Sequence, residues 1–206
     1  MYENRLNSDI GGKMKYKYIS TEDVERLISK ITDQRDKALF SLMYLYGLRC
    51  IEAVSLNISD LRMRDSRLYV HAAKHGISGE VILSAKAKRA LQAYLKERTA
   101  RNGHCDALFL SRKSKTGTGR LSTAQVYRLF RKYAKKAKLP QDTWHPHVLR
   151  HSVAVHMADS GVDVAVVKEH LRHRKIDTTM IYFQITNKAR HELQAKALSG
   201  KYIANL

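Results

Sequence analysis

Apolar residues recur along most of this chain at the three- and four-residue spacing of a buried helix face, and only one short stretch alternates as a strand does. Val24, Leu27, Ile28 and Ile31 share a face behind Ser20-Thr21-Glu22-Asp23, a run with the composition of a helix start. A second helix is predicted from about Gln34 to Tyr46, where Gly47 is placed to end it, and Arg49 opens the next turn or short helix. Arg67 to Ala72 alternates, residues 74–79 read as a tight turn, and Glu80 to Leu83 returns, so an antiparallel hairpin is predicted. Ser84 then caps a helix to about Thr99, Ala107 to Leu110 makes a short strand, and Ser122 caps a helix to about Ala137. The last third reads as helices at about 146–160 closed by Gly161, about 163–171, about 177–185 capped by Asp177, and about 187–198. The expected class is mainly α with a small antiparallel β-sheet (α+β).

Two prolines in 206 residues, with glycines mostly at predicted turns, leave no long linker. One catalytic-size domain is expected over residues 18–186, behind a basic lead (1–17) and ahead of a helical tail (187–206). The longest mostly apolar run, ALFSLMYLYGL, is too short to span a membrane, and no apolar signal segment opens the chain. Cys50 and Cys105 have neither metal-ligand spacing nor a disulfide framework, so two reduced thiols and an intracellular setting are expected. No glycine-rich nucleotide loop is present, and nothing in the sequence asks for ATP.

Charge narrows the partner. Thirty-eight Lys and Arg against nineteen Asp and Glu give a formal +19, a field that favours a polyanion and salt-sensitive association. Between Ala107 and Gln141 lie Arg112, Lys113, Lys115, Arg120, Arg128, Arg131, Lys132, Lys135, Lys136 and Lys138 with no acidic residue among them. A solvated helix face would explain part of that run. With no carboxylates to neutralise it, phosphate contact is the better reading, and double-stranded DNA the expected partner.

One run outweighs the rest: HPHVLRHSVAVHMADSGVDVAVVKEHLRHRKIDTTMIY, which holds His147, Arg150, His173 and Tyr182. Upstream, GLRCIEAVSL presents Arg49 and AAKHGISGEVIL presents Lys74, the only lysine of the predicted hairpin. Two guanidiniums, two imidazoles, an ammonium and a phenol make no metal site. They suit attack on a phosphodiester by a tyrosine held beside cationic donors. Guanidinium forks match phosphate oxygens and keep their charge, imidazoles pass protons near neutrality, and an ammonium can give one up where a guanidinium does not.

The order and spacing of Arg49, Lys74, His147-x-x-Arg150, His173 and, nine residues on, Tyr182 resemble the catalytic domain of the tyrosine recombinase (phage integrase) family, from about Ile19 to about Thr186. The resemblance implies that Tyr182 attacks the scissile phosphate to give a 3′-phosphotyrosine and a free 5′-hydroxyl, with no cofactor because the bond energy is stored. It implies that Arg49 and Arg150 grip the phosphate oxygens, that His147 serves the tyrosine hydroxyl as base or acid, that His173 donates to a phosphate oxygen, and that Lys74 protonates the leaving 5′-oxygen. Glu52, three residues after Arg49, either orients the site or forms a plain i,i+3 surface pair. His145 and His151 flank His147, whose role rests on its offset from Arg150. It further implies site-specific recombination in the cytoplasm, and a synaptic tetramer on DNA formed from free monomers, with the tail docking in trans. A type IB topoisomerase-like nicking activity and a non-enzymatic DNA-binding regulator are the alternatives. Two departures stand out. Arg172 precedes His173 where the family usually has glycine, and is expected to add a DNA contact or to shift His173 slightly. Only about eighteen residues precede the first predicted helix where the family commonly carries a core-binding domain, so the chain is expected to be either a catalytic domain alone or a naturally short recombinase, the second form resembling the fimbrial invertases of the family.

Overall fold

Side-chain caps start the helices. The computed structural model describes residues 17–73, 76–99, 105–112 and 119–186. Ser20 accepts the Asp23 N–H (3.2 Å) at the head of α1 (Thr21–Ser29), and Asp33 accepts that of Asp36 (3.1 Å) at the head of α2 (Gln34–Leu45). Each satisfies an N–H that the first helical turn leaves without a partner. After α3 (Cys50–Ser55) and α4 (Ala85–Thr99), Ser122 and Gln125 cap α5 (Thr123–Lys136) reciprocally. Then come α6 (His147–Asp159), α7 (Val164–Leu171) and α8 (residues 177–186). The mainly α class with a small antiparallel sheet is as expected. The basic lead apart from Lys17, and the 187–206 tail, lie outside the described residues.

The sheet has three strands, β1 (Leu61–Arg62), β2 (Arg67–Val70) and β3 (Gly79–Ile82), in the order β1-β2-β3 and all antiparallel. Leu68 sits opposite both Leu61 and Val81. With only two residues, β1 shows no alternation to read. The strand expected over Ala107 to Leu110 does not form. Only isolated bridges, Asn57 with Ala107 and Leu110 with Arg120, touch its ends. All four residues are buried, so an apolar run passing through the core imitates a strand.

α2 is buried nearly all round, through Ala38, Leu39, Phe40, Leu42 and Met43, and packs chiefly on α4 and α6. Its buried Asp36 accepts from Arg35 (2.8 and 2.6 Å) and from the Tyr133 hydroxyl (2.8 Å) of α5, so the carboxylate enters the core fully bonded. A second cluster of Val153, Ala154, Val155, Val167, Leu171 and Tyr182 joins α6, α7 and α8. Gly47 brings this cluster to α2. Its φ is +56°, and a Cβ there would lie 2.5 Å from Leu171 Cδ2, so only glycine lets the end of α2 approach α7 this closely. Among the described residues no helix is long and apolar enough to cross a membrane.

Candidate active site

The end of α2 supplies the floor of the site. Two successive carbonyls that the helix cannot satisfy are taken by side chains from α6 and the α7 corner. Arg172 donates to Tyr46 O (3.0 Å), and Arg150 donates to Gly47 O. Arg150 also donates to Leu171 O (2.7 Å) and Arg172 to His170 O (3.0 Å), at the end of α7. Cations at two helix C-termini meet the negative ends of both dipoles.

Arg49 lies just above this floor, at the N-cap of α3. Glu52 accepts its backbone N–H (2.8 Å) with one oxygen and its guanidinium (2.7 Å) with the other. At 2 % exposure Glu52 is an interior orienting group and not a surface partner, and Arg172 approaches it to 3.5 Å. Burial opposes its charge, but the bonds from Arg49 and the charges of Arg150 and Arg172 prevail and hold the carboxyl below its ordinary range. Burial, then the charge of Arg49, bring Arg150 down to about 9. Three guanidiniums around one carboxylate leave an excess of positive charge, which a phosphate would relieve.

Tyr182 projects from α8 into the second cluster, 2 % exposed, and its hydroxyl meets a histidine other than the one its sequence offset favours. His151 Nδ1 lies 2.9 Å from the Tyr182 oxygen, while His147, one turn earlier on α6 and exposed, stands with its ring 5.9 Å from that of His151. Partial burial, then the charges of Arg150 and Arg49, lower His147 from its ordinary value. His173 is 4 % exposed and its Nδ1 is 2.9 Å from Thr179 Oγ1, which fixes the ring. Burial, then the charge of His147, bring His151 to about 4; burial, then Arg150, bring His173 to about 3.

These imidazoles make stability depend on pH. Both are neutral in the folded chain but protonate near 6.5 once unfolded. Their contribution is therefore complete above about pH 6.5 and is lost as the pH falls from there toward about 4 and about 3. For His151 alone the loss is of order 3 kcal/mol. Urea unfolding at about pH 7 and about pH 5 should show a marked drop at the lower pH, smaller in His151→Gln. Equal stability at both would contradict it.

Lys74 lies outside the described residues. The strand end that follows it is seated on the site: Gly76 bridges His173, Ile77 N–H donates to Arg172 O (3.2 Å), and a Cβ on Gly76 would lie 3.3 Å from Arg49 Nη1. Of the residues expected on DNA, Arg128, Arg131, Lys132, Lys135 and Lys136 are exposed on α5, opposite Val126, Phe130, Tyr133 and Ala134. Lys113 and Lys115 are not among the described residues. Three others are engaged within the chain. Arg112 is engaged by Asp33 (2.6 Å) and Glu97 (2.7 Å), Arg120 turns inward to the carbonyls of Val54 and Leu56 and to Asn57, and Arg172 is buried.

Residues 17–189 match the model of the phage integrase family. The chain belongs to that family. It is 34% identical to tyrosine recombinase XerA of Pyrococcus horikoshii over 181 residues, covering 88% of this chain and 61% of the relative. It is 31% identical to the type 1 fimbriae regulatory protein FimE of Escherichia coli, covering 82% of this chain and 85% of FimE. The family member's fold matches the crystal structure of XerA recombinase with a TM-score of 0.75 at 30% identity, over 87% of this chain and 64% of that one. It also matches, in fold, XerH site-specific recombinase bound to palindromic difH substrate, with a TM-score of 0.74 at 24% identity. The chain thus spans less than two thirds of the XerA proteins and most of FimE.

Proposed function

We propose that this integrase-family chain is a site-specific DNA recombinase, or the catalytic part of one, that cleaves and rejoins strands through Tyr182. The observation that carries the reading is the Tyr182 hydroxyl, held on His151 beside a cluster of arginines with more positive than negative charge. Arg49 and Arg150 take the non-bridging oxygens of the scissile phosphate, and His147 and His173 donate to the same oxygens. Tyr182 Oη attacks phosphorus while its proton passes to His151 Nδ1. The bond to the 5′-oxygen breaks, and Lys74 protonates that oxygen. Attack by a 5′-hydroxyl from another strand reverses the sequence and releases the tyrosine, so the bond count balances without an outside energy source. The chain acts on double-stranded DNA inside the cell, as a monomer when free and as a synaptic tetramer on DNA, with residues 187–206 docking on a neighbouring copy.

Incubation with a plasmid carrying two target sites tests this. The expected result is exchanged product, with transient breaks whose 5′ ends are free hydroxyls and whose 3′ ends carry protein. Relaxation without exchange would support the topoisomerase-like alternative, and binding with no break would support a regulator.

The exposed basic face of α5 supplies the next expectation. Each phosphate that a cation neutralises contributes about −0.9 to the slope of log K against log salt. Lys132→Gln, Lys135→Gln and Lys136→Gln together should flatten that slope by about 0.9 for each phosphate that is no longer neutralised, measured by fluorescence anisotropy. An unchanged slope would assign this face to solvent.

A further inference from the structure

Arg172 is held in a conformation and a place that arginine does not favour. Its φ of 55° lies in the left-handed region that suits glycine. The turn closes α7 with Arg172 N–H on Glu169 O (2.9 Å) and His173 N–H on Lys168 O (3.0 Å). The side chain is then 5 % exposed, and its Nε–H is buried with no acceptor among the described residues. Backbone strain and a buried polar group without a partner both cost free energy, and such costs gather where the arrangement serves function.

The arrangement here is a shared carboxylate. Glu52 Oε2 accepts the Arg49 backbone N–H and lies 3.5 Å from Arg172 Nη2, while Oε1 takes the Arg49 guanidinium. Arg172 is anchored on the Tyr46 and His170 carbonyls, so it approaches Glu52 from a fixed point. Its own carbonyl seats Ile77, three residues beyond Lys74. We propose that Arg172 is a positioning residue for strand cleavage: it fixes Glu52 beneath Arg49 and offsets the carboxylate's charge, so that Arg49 and Arg150 keep their attraction for the scissile phosphate. This rests on the recombinase reading above.

Two variants and two substrates test it. Arg172→Gly removes the side chain and suits the backbone, whereas Arg172→Lys keeps the charge without the fork. Each is given a nicked suicide DNA with an ordinary scissile phosphodiester, and the same DNA with a neutral methylphosphonate there. R172G should slow single-turnover adduct formation by roughly ten- to hundred-fold on the phosphodiester, the scale on which supporting groups act at charged sites. The loss on the methylphosphonate, which presents no charge to the clamp, should be much smaller. R172K should recover part of the rate, and DNA affinity should hold. A residue that only staples α7 to α2 would slow both substrates alike; that result, or an unchanged rate, overturns the proposal. A cleavage-free readout keeps the two readings apart. Inorganic phosphate should raise the wild-type melting temperature above that in chloride of equal ionic strength, and R172G should lose the rise. The rise without any adduct would sink the cleavage reading alone, while a rise that survives in R172G would sink the role of Arg172.

Discussion

Tyr182→Phe is expected to fold and to bind DNA as the parent does, and to form no covalent adduct and no strand break. The ring is 2 % exposed among Val153, Ala154, Val155, Val167 and Leu171, and phenylalanine fills the same space. What the fold gives up is the bond to His151, worth about 1 kcal/mol. The loss in chemistry is complete, because the attacking atom is the only one removed. Gel shift and an SDS-stable adduct assay on one sample check both halves. An adduct in the variant would move the nucleophile to another tyrosine, with Tyr202, outside the described residues, the next to replace.

Much of this fold is legible in sequence because local chemistry and global packing agree. Ser20 and Ser122 each accept the N–H three residues on, as their positions before apolar-periodic runs predict, and Gly47 ends α2 with a φ of +56° that suits glycine. Where tertiary approach decides, the pattern is silent. β1 forms only because β2 lies beside it, and Ala107 to Leu110 is buried without belonging to the sheet. The run LRHR reads as surface, yet the left-handed turn at Arg172 folds its guanidinium back onto Glu52. Arg120, in a basic stretch, spends its donors on the Val54 and Leu56 carbonyls. Charge counts cannot tell such cations from those of α5 that face solvent; only the amphipathic spacing of Val126, Phe130, Tyr133 and Ala134 does.

His147 and His151 of α6 show the same limit, and His151→Gln and His147→Gln are expected to fail in different ways. They stand four residues apart, one above the other, so periodicity gives both to one face. The position of α8 decides between them, and it puts the Tyr182 oxygen 2.9 Å from His151 Nδ1. His151 is neutral at ordinary pH, held at about 4 by burial and then by His147, so its ring can accept a proton. A scissile phosphate entering beside Arg150 brings negative charge that raises its proton affinity as the hydroxyl reacts. Loss of a proton acceptor costs about 10²- to 10⁴-fold in cleavage, and His151→Gln should lose such a factor equally on phosphodiester and methylphosphonate DNA. His147→Gln should instead lose a donor to the charged oxygens, a cost of about 10²- to 10³-fold on the phosphodiester and much less on the neutral analogue. Single-turnover adduct rates on the two DNAs measure all four numbers. If His151→Gln cleaves at the parent rate while His147→Gln is slow on both substrates, the proton passes to His147, and the contact between His151 and Tyr182 belongs to a resting state that opens before attack.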